Sequence, residues 1–106
     1  MDVSIVIPLY NEEESVEALY QEVRDAAERL GKSWELLLVD DGSRDATPAR
    51  LREICARDPR VRAVRFSRNY GQTAALQAGF DQARGRVVDQ ALGKVNVKGL
   101  RGRLGL

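Results

Sequence analysis

Three short segments carry side chains whose types and spacing could do chemistry: Pro8-Leu9-Tyr10-Asn11-Glu12, Asp40-Asp41-Gly42-Ser43-Arg44-Asp45 and Ser67-Arg68-Asn69-Tyr70-Gly71-Gln72. The second is the most informative. Leu36-Leu37-Leu38-Val39 runs straight into it, and adjacent carboxylates ending an apolar run are costly unless water, a cation or hydrogen-bond donors serve them. The faces of Tyr10 and Tyr70 can stack on a planar base, and a carboxylate or amide can read that base's hydrogen-bonding edge. Helix starts at Asn11, Asp45 and Gly71 would add oriented N–H groups. Glu12, Asp40 and Asp41 would repel a naked diphosphate. A phosphorylated ligand would therefore need a divalent cation, and oxygen ligands suit Mg²⁺ or Mn²⁺.

Each of these residues also has a plainer reading. Glu13 and Glu14 suit the positive end of a helix. Asp41-Gly42-Ser43 reads equally as a turn and Asp45 as a helix cap. Tyr10 and Tyr70 fit edge packing, and Arg68 a solvated charge. Tyr20 and Trp34 read as core, and Cys55 as a structural thiol with nothing nearby to activate it.

The elements that must position these segments follow from the pattern. Val3 to Ile7 is a β-branched run stopped by Pro8, a buried first strand. Asn11, with Glu14 three residues on, predicts a capped helix carrying Val16, Leu19, Tyr20, Val23, Ala26, Ala27 and Leu30 at helical spacing, closed by Gly31. Trp34 to Val39 is the second strand. Asp45 or Thr47 caps a second helix with Pro48 in its first turn and Leu51, Ile54 and Cys55 inward. Val61 to Phe66 is a third strand. A third helix starts near Gly71, carries Leu76, Gly79, Phe80 and Ala83 on one face, and ends before Gly85. Arg86-Val87-Val88 begins a fourth strand. This βαβαβαβ order predicts a three-layer α/β/α fold with a mainly parallel sheet. In such a sheet all three segments emerge on one edge, where ligands bind.

Composition bounds the rest. The 106 residues make one small domain. The net charge of +1 gives no reason to expect nucleic acid. With no His in the chain, a Ser-His-Asp site or a His-ligated zinc is excluded. The single Cys55 excludes an internal disulfide. No apolar stretch approaches 18 residues, so no transmembrane segment is expected, and the N-terminus lacks a signal-peptide layout.

Taken together, Val6-Ile7-Pro8-Leu9-Tyr10-Asn11-Glu12, Val39-Asp40-Asp41-Gly42-Ser43, and Ser67-Arg68-Asn69-Tyr70-Gly71-Gln72 with Ala74-Ala75 and Ala78-Gly79-Phe80 resemble family 2 glycosyltransferases. The likeness is greatest to the polyprenyl-phosphate branch, which includes dolichol-phosphate mannosyltransferases and undecaprenyl-phosphate aminoarabinose transferases. It covers residues 1 to 88. The resemblance implies the nucleotide-sugar-binding half of a GT-A (Rossmann-like) fold and inverting transfer from a UDP- or GDP-sugar to a lipid phosphate. It also implies a divalent cation, and a cytoplasmic location at the cytoplasmic face of a membrane. By motif match, Pro8, Tyr10, Asn11 and Glu12 would line the nucleotide pocket. Asp41, with Asp40, would read the base, while Arg68, Asn69 and Gly71 border the pocket. No catalytic residue is assigned.

One departure matters. In the family the fourth strand runs into an Asp-x-Asp motif that holds metal and diphosphate. Here Arg86-Val87-Val88 is followed by Asp89-Gln90-Ala91-Leu92, and no Asp-x-Asp occurs. The metal role does not carry over to Asp89. Residues 89–106 hold four basic and one acidic side chain among glycines and read as a basic tail foreign to the family. A frame change or truncation near residue 88 is the preferred account, against a genuine tail for an anionic partner or a regulatory paralogue. An incomplete sheet also predicts marginal stability or self-association. Two further alternatives fit less well. A phospho-acceptor domain would need a lysine on this edge, and a dinucleotide-binding domain a Gly-rich first turn. A non-catalytic nucleotide-binding chain stays open.

Overall fold

The computed structural model describes residues 1–89. Its elements are β1 (Val3–Leu9), α1 (Val16–Glu28), β2 (Trp34–Asp40), α2 (Thr47–Arg57), β3 (Val61–Arg65), α3 (Gln72–Gln82) and β4 (Arg86–Asp89). The four strands form one parallel sheet in the order β3-β2-β1-β4. The chain thus steps outward from β1 to β2 and β3, then returns to the other side of β1. The crevice at such a reversal is where open α/β sheets bind ligands.

Alternation along β1 and β2 divides the core. Ile5, Ile7, Leu9, Leu36 and Leu38 face α1 and α2, packing on Val16, Leu19, Val23, Leu51 and Ile54. Val6, Leu37 and Val39 face α3 through Ala75. Every residue of β2 is buried, as the apolar run requires of a strand covered on both faces. The α3 side is thinner, with Val64, Phe66, Leu76 and Phe80 only partly buried. Helix α3 sits close to the sheet because Gly79 has no side chain; a Cβ there would lie 2.2 Å from Cγ1 of Val6.

Two expectations need correction. Strand β1 does not stop at Pro8 but runs on to Leu9, with Pro8 opposite Val39. Among the described residues, β4 pairs with β1 as far as Val6 and Pro8 is paired with β2. Helix α1 starts at Val16 rather than after Asn11. The expected boundary at residues 88 and 89 falls at the end of β4, and the expectations for residues 90–106 lie outside the described residues. Among the described residues, no helix is long and apolar enough to cross a membrane.

At the N-terminal edge of the sheet, carboxylates are matched by arginines. Glu35 is fully buried and accepts from the Ser4 hydroxyl at 2.6 Å and the Arg84 N–H at 2.7 Å, with the Arg62 guanidinium at 3.1 Å. Asp58 accepts from the Tyr20 hydroxyl at 2.7 Å and from Arg60.

Candidate functional site

The three expected loops meet at the C-terminal edge of the sheet, each locked to its neighbour. Asn11 adopts φ 51°, a left-handed conformation that Asn tolerates better than most residues. It does not cap α1. Its N–H donates to Ser43 Oγ at 2.8 Å, and its Oδ1 accepts from the Arg44 N–H at 2.9 Å. The next two N–H groups, of Glu12 and Glu13, donate to Thr47 Oγ1 and Asp45 Oδ2. Asp45 also accepts from the Thr47 N–H at 2.9 Å, ahead of α2. Burial pushes the Asp45 carboxyl up, but the bonds from Thr47 and Glu13 outweigh it and hold it below its ordinary value.

The second and third loops are joined more tightly. Gly42 has φ 74°, and a Cβ there would lie 2.2 Å from the carbonyl carbon of Arg68 and 2.5 Å from the nitrogen of Asn69. Beside this backbone contact, the Asp41 carboxylate accepts from the N–H groups of Tyr70 at 2.8 Å and Gly71 at 3.0 Å. Asn69 Nδ2 adds a third bond at 3.1 Å. Asp40 is fully buried; its Oδ1 accepts from the Ser43 N–H at 3.0 Å. Its Oδ2 has no hydrogen-bond partner and lies 4.0 Å from Arg65 Nε. The N–H groups of Asn11 and Gly71 are therefore already bonded within the protein.

These locks frame a cleft of about 260 Å³ lined by Tyr10, Gly42, Ser43, Arg44, Ser67, Arg68 and Asn69. Tyr10 and Tyr70 are 43% and 53% exposed. The Tyr70 ring meets Phe66 edge-on at 5.5 Å, and the Arg68 guanidinium stacks over it at 4.7 Å. Of the expected residues, the cleft thus presents Tyr10, Arg68 and Asn69. Pro8, Asn11, Glu12, Asp40, Asp41 and Gly71 stand behind it as the frame. Sequence reading left out Gly42, Ser43, Arg44 and Ser67. All four lie within the expected loops, so membership of a strand-end loop was the available signal.

The expected wall of acids is absent from the lining, because Asp40 and Asp41 turn inward to satisfy backbone donors and Glu12 Oε2 accepts from the Ser15 hydroxyl. Among the described residues, no three acidic, Cys or His side chains converge where a metal ion could sit. Both oxygens of Asp41 already accept N–H bonds. These residues do not by themselves fit a divalent cation.

The Asp41 bonds allow a direct check. Asp41→Asn would turn an NH₂ toward a backbone donor, leaving one buried group unsatisfied at a cost of about 1–3 kcal/mol. Amide exchange at Tyr70 and Gly71 is expected to accelerate by at least about fivefold; unchanged protection would show that the carboxylate does not hold the loop.

Comparison with known proteins gives consistent relatives. The family model described as glycosyl transferase family 2 matches residues 4–88. A dodecaprenyl-phosphate galacturonate synthase from Rhizobium johnstonii is 47% identical over 89 residues, 83% of this chain and 26% of that protein. An undecaprenyl-phosphate 4-deoxy-4-formamido-L-arabinose transferase from Pectobacterium atrosepticum is 51% identical over 89 residues, 82% of this chain and 27% of its own length. The chain thus spans about a quarter of the length of the curated relatives it matches. Among solved structures, S. aureus TarS 1-349 superposes with a TM-score of 0.65 at 21% identity, covering 99% of this chain and 32% of that one. The Pyrobaculum calidifontis mannosyltransferase PcManGT, solved with GDP-Man and Mn²⁺, gives 0.56 at 25% identity, covering 76% of this chain and 24% of the other. The fold is that of GT-A glycosyltransferases, and by the match over residues 4–88 the chain belongs to glycosyltransferase family 2.

Proposed function

We propose that the cleft at the C-terminal edge binds the nucleotide of a UDP- or GDP-sugar, as the donor site of an enzyme that glycosylates a polyprenyl phosphate. The observation that carries this reading is the meeting of three strand-end loops around an exposed Tyr10 ring and the Arg68–Tyr70 stack. Tyr10 offers its face to the base, and Arg68 and Asn69 border the nucleotide. Pro8, Asn11, Glu12, Asp40, Asp41 and Gly71 hold these groups in place.

In the whole protein the acceptor phosphate oxygen would attack the anomeric carbon while the bond from that carbon to the nucleoside diphosphate breaks, inverting the centre. A divalent Mg²⁺ or Mn²⁺ would neutralise the departing diphosphate, held by residues other than those described. The enzyme would work at the cytoplasmic face of a membrane. The alternative reading is nucleotide binding without turnover.

Titration of the chain with UDP, GDP, ADP and CDP, with and without Mn²⁺, tests the binding reading. One uridine or guanosine diphosphate is expected to raise the melting temperature by about 10 °C at about 100 times its Kd; indifference to all four overturns it. Release of nucleoside diphosphate from a nucleotide sugar then separates the enzyme from the binder.

A further inference from the structure

We infer that Arg44 and Arg68 form a metal-independent anion clamp in this cleft, so that the phosphate of the nucleotide is held by guanidinium groups before any divalent cation is engaged. The inference rests on the cleft being the nucleotide site and goes beyond that reading by naming the phosphate-binding residues, Arg44 among them, and by removing the cation from the binding step.

Arg57, Arg60, Arg62 and Arg84 all pair with carboxylates. Arg44 and Arg68 are exposed and form no ion pair among the described residues, although acids are plentiful in the same loops. Two of those acids are engaged elsewhere. Asp41 is turned to the Tyr70 and Gly71 N–H groups and Asp40 to that of Ser43. Two uncompensated cations therefore line a cleft of about 260 Å³ that presents no carboxylate. A concave wall carrying one sign of charge raises the local concentration of the opposite ion. A guanidinium offers a planar fork of donors that matches phosphate oxygens.

The Arg68 side chain and the Arg44 backbone are also held in position. Arg68 lies over the Tyr70 ring at 4.7 Å, and Phe66 braces that ring edge-on. Stacking leaves the donors at the rim of the guanidinium free. The Arg44 N–H is tied to Asn11 Oδ1. The Gly42 contact on the Arg68 backbone sets the spacing between the two loops. The cation that the sequence requires to offset Glu12, Asp40 and Asp41 has no counterpart in the lining.

The test uses the isotope-labelled chain, followed by amide shifts in EDTA. UDP or GDP is expected to bind in EDTA, shift the amides of Arg44 and Arg68, and weaken steeply with salt. Arg44→Gln and Arg68→Gln are each expected to lower that affinity about tenfold. Arg44→Gln should leave the weak binding of uridine or guanosine unchanged, and Arg44→Lys should recover part of the loss. Diphosphate binding that appears only after Mn²⁺ is added, or that ignores Arg44→Gln, overturns the clamp while the nucleotide reading stands. Failure of both nucleosides and nucleotides to bind, with or without Mn²⁺, overturns the two together.

Discussion

Gly42→Ala is expected to lower the melting temperature by about 8–25 °C and to remove nucleotide binding. Two costs combine. At φ 74° a side chain costs roughly 1–2 kcal/mol. The larger cost is contact: the new Cβ would lie 2.2 Å from the Arg68 carbonyl carbon and 2.6 Å from its oxygen. These are backbone atoms and cannot rotate aside, so the loops must part. Overpacking of this kind costs typically about 1–3 kcal/mol. Parting the loops also stretches the three bonds on Asp41. The sum of about 2–5 kcal/mol is a large share of the 5–15 kcal/mol typical of a domain. Gly31→Ala is the control, since Gly31 has φ 66° but nothing within 4 Å of its would-be Cβ. It should cost only the backbone part, about 1–2 kcal/mol. Equal melting temperatures for the two variants would show that the loop contact carries no weight.

The contrast between these glycines shows what the sequence could and could not reveal. Both read as turn glycines, and only the three-dimensional meeting of residues 42 and 68 separates them. Much of the architecture was legible, because local chemistry decides it. Continuous burial of Leu36 to Val39 gave a central strand, and helical spacing from Val16 to Ala27 gave α1. The gathering of three loops on one edge follows from parallel topology alone. What was not legible is the direction in which polar side chains point. Asn11 looked like a cap because Asn caps helices, yet a partner 33 residues away claims its amide oxygen. Asp40 and Asp41, as two acids at a strand end, needed water, a cation or hydrogen-bond donors as partners, and the sequence does not say which. The partners turned out to be N–H groups of the same loops. Glu35 is the extreme case. It interrupts a buried strand, and its partners Ser4, Arg62 and Arg84 lie 31, 27 and 49 residues away.

That buried carboxylate carries the second large effect, an acid-sensitive collapse of the N-terminal edge. Burial pushes Glu35 up, but the Ser4 hydroxyl, the Arg84 N–H and the Arg84 and Arg62 guanidiniums outweigh it and hold the carboxyl at about 2, below its ordinary 4.5. Because the folded value is depressed, the stabilisation is complete above about pH 5 and is lost as pH falls from 4.5 toward 2. The full shift corresponds to about 3 kcal/mol. Arg84 is 58% exposed and Arg62 32%, so solvent screening brings the expected contribution to about 2 kcal/mol. Asp58 adds a parallel loss. Burial pushes it up as well, and Arg60 and Tyr20 bring it to about 2 from 3.8. The Glu35 network ties β1 through Ser4, β3 through Arg62, and the turn before β4 through Arg84. Ser4 in turn accepts from the Gly85 N–H at 2.8 Å. Protonation should therefore loosen β4 before the rest of the sheet. Glu35→Gln keeps the shape without the charge, so its stability at pH 7 should fall by about 2 kcal/mol and its pH dependence between 5 and 2.5 should flatten. Glu17→Gln, which removes an exposed partner of Arg57, should cost less than about 1 kcal/mol. Urea titrations of the three proteins at pH 7, 4.5 and 3 measure this. An acid slope in Glu35→Gln as steep as in the parent chain would place the pH sensitivity elsewhere.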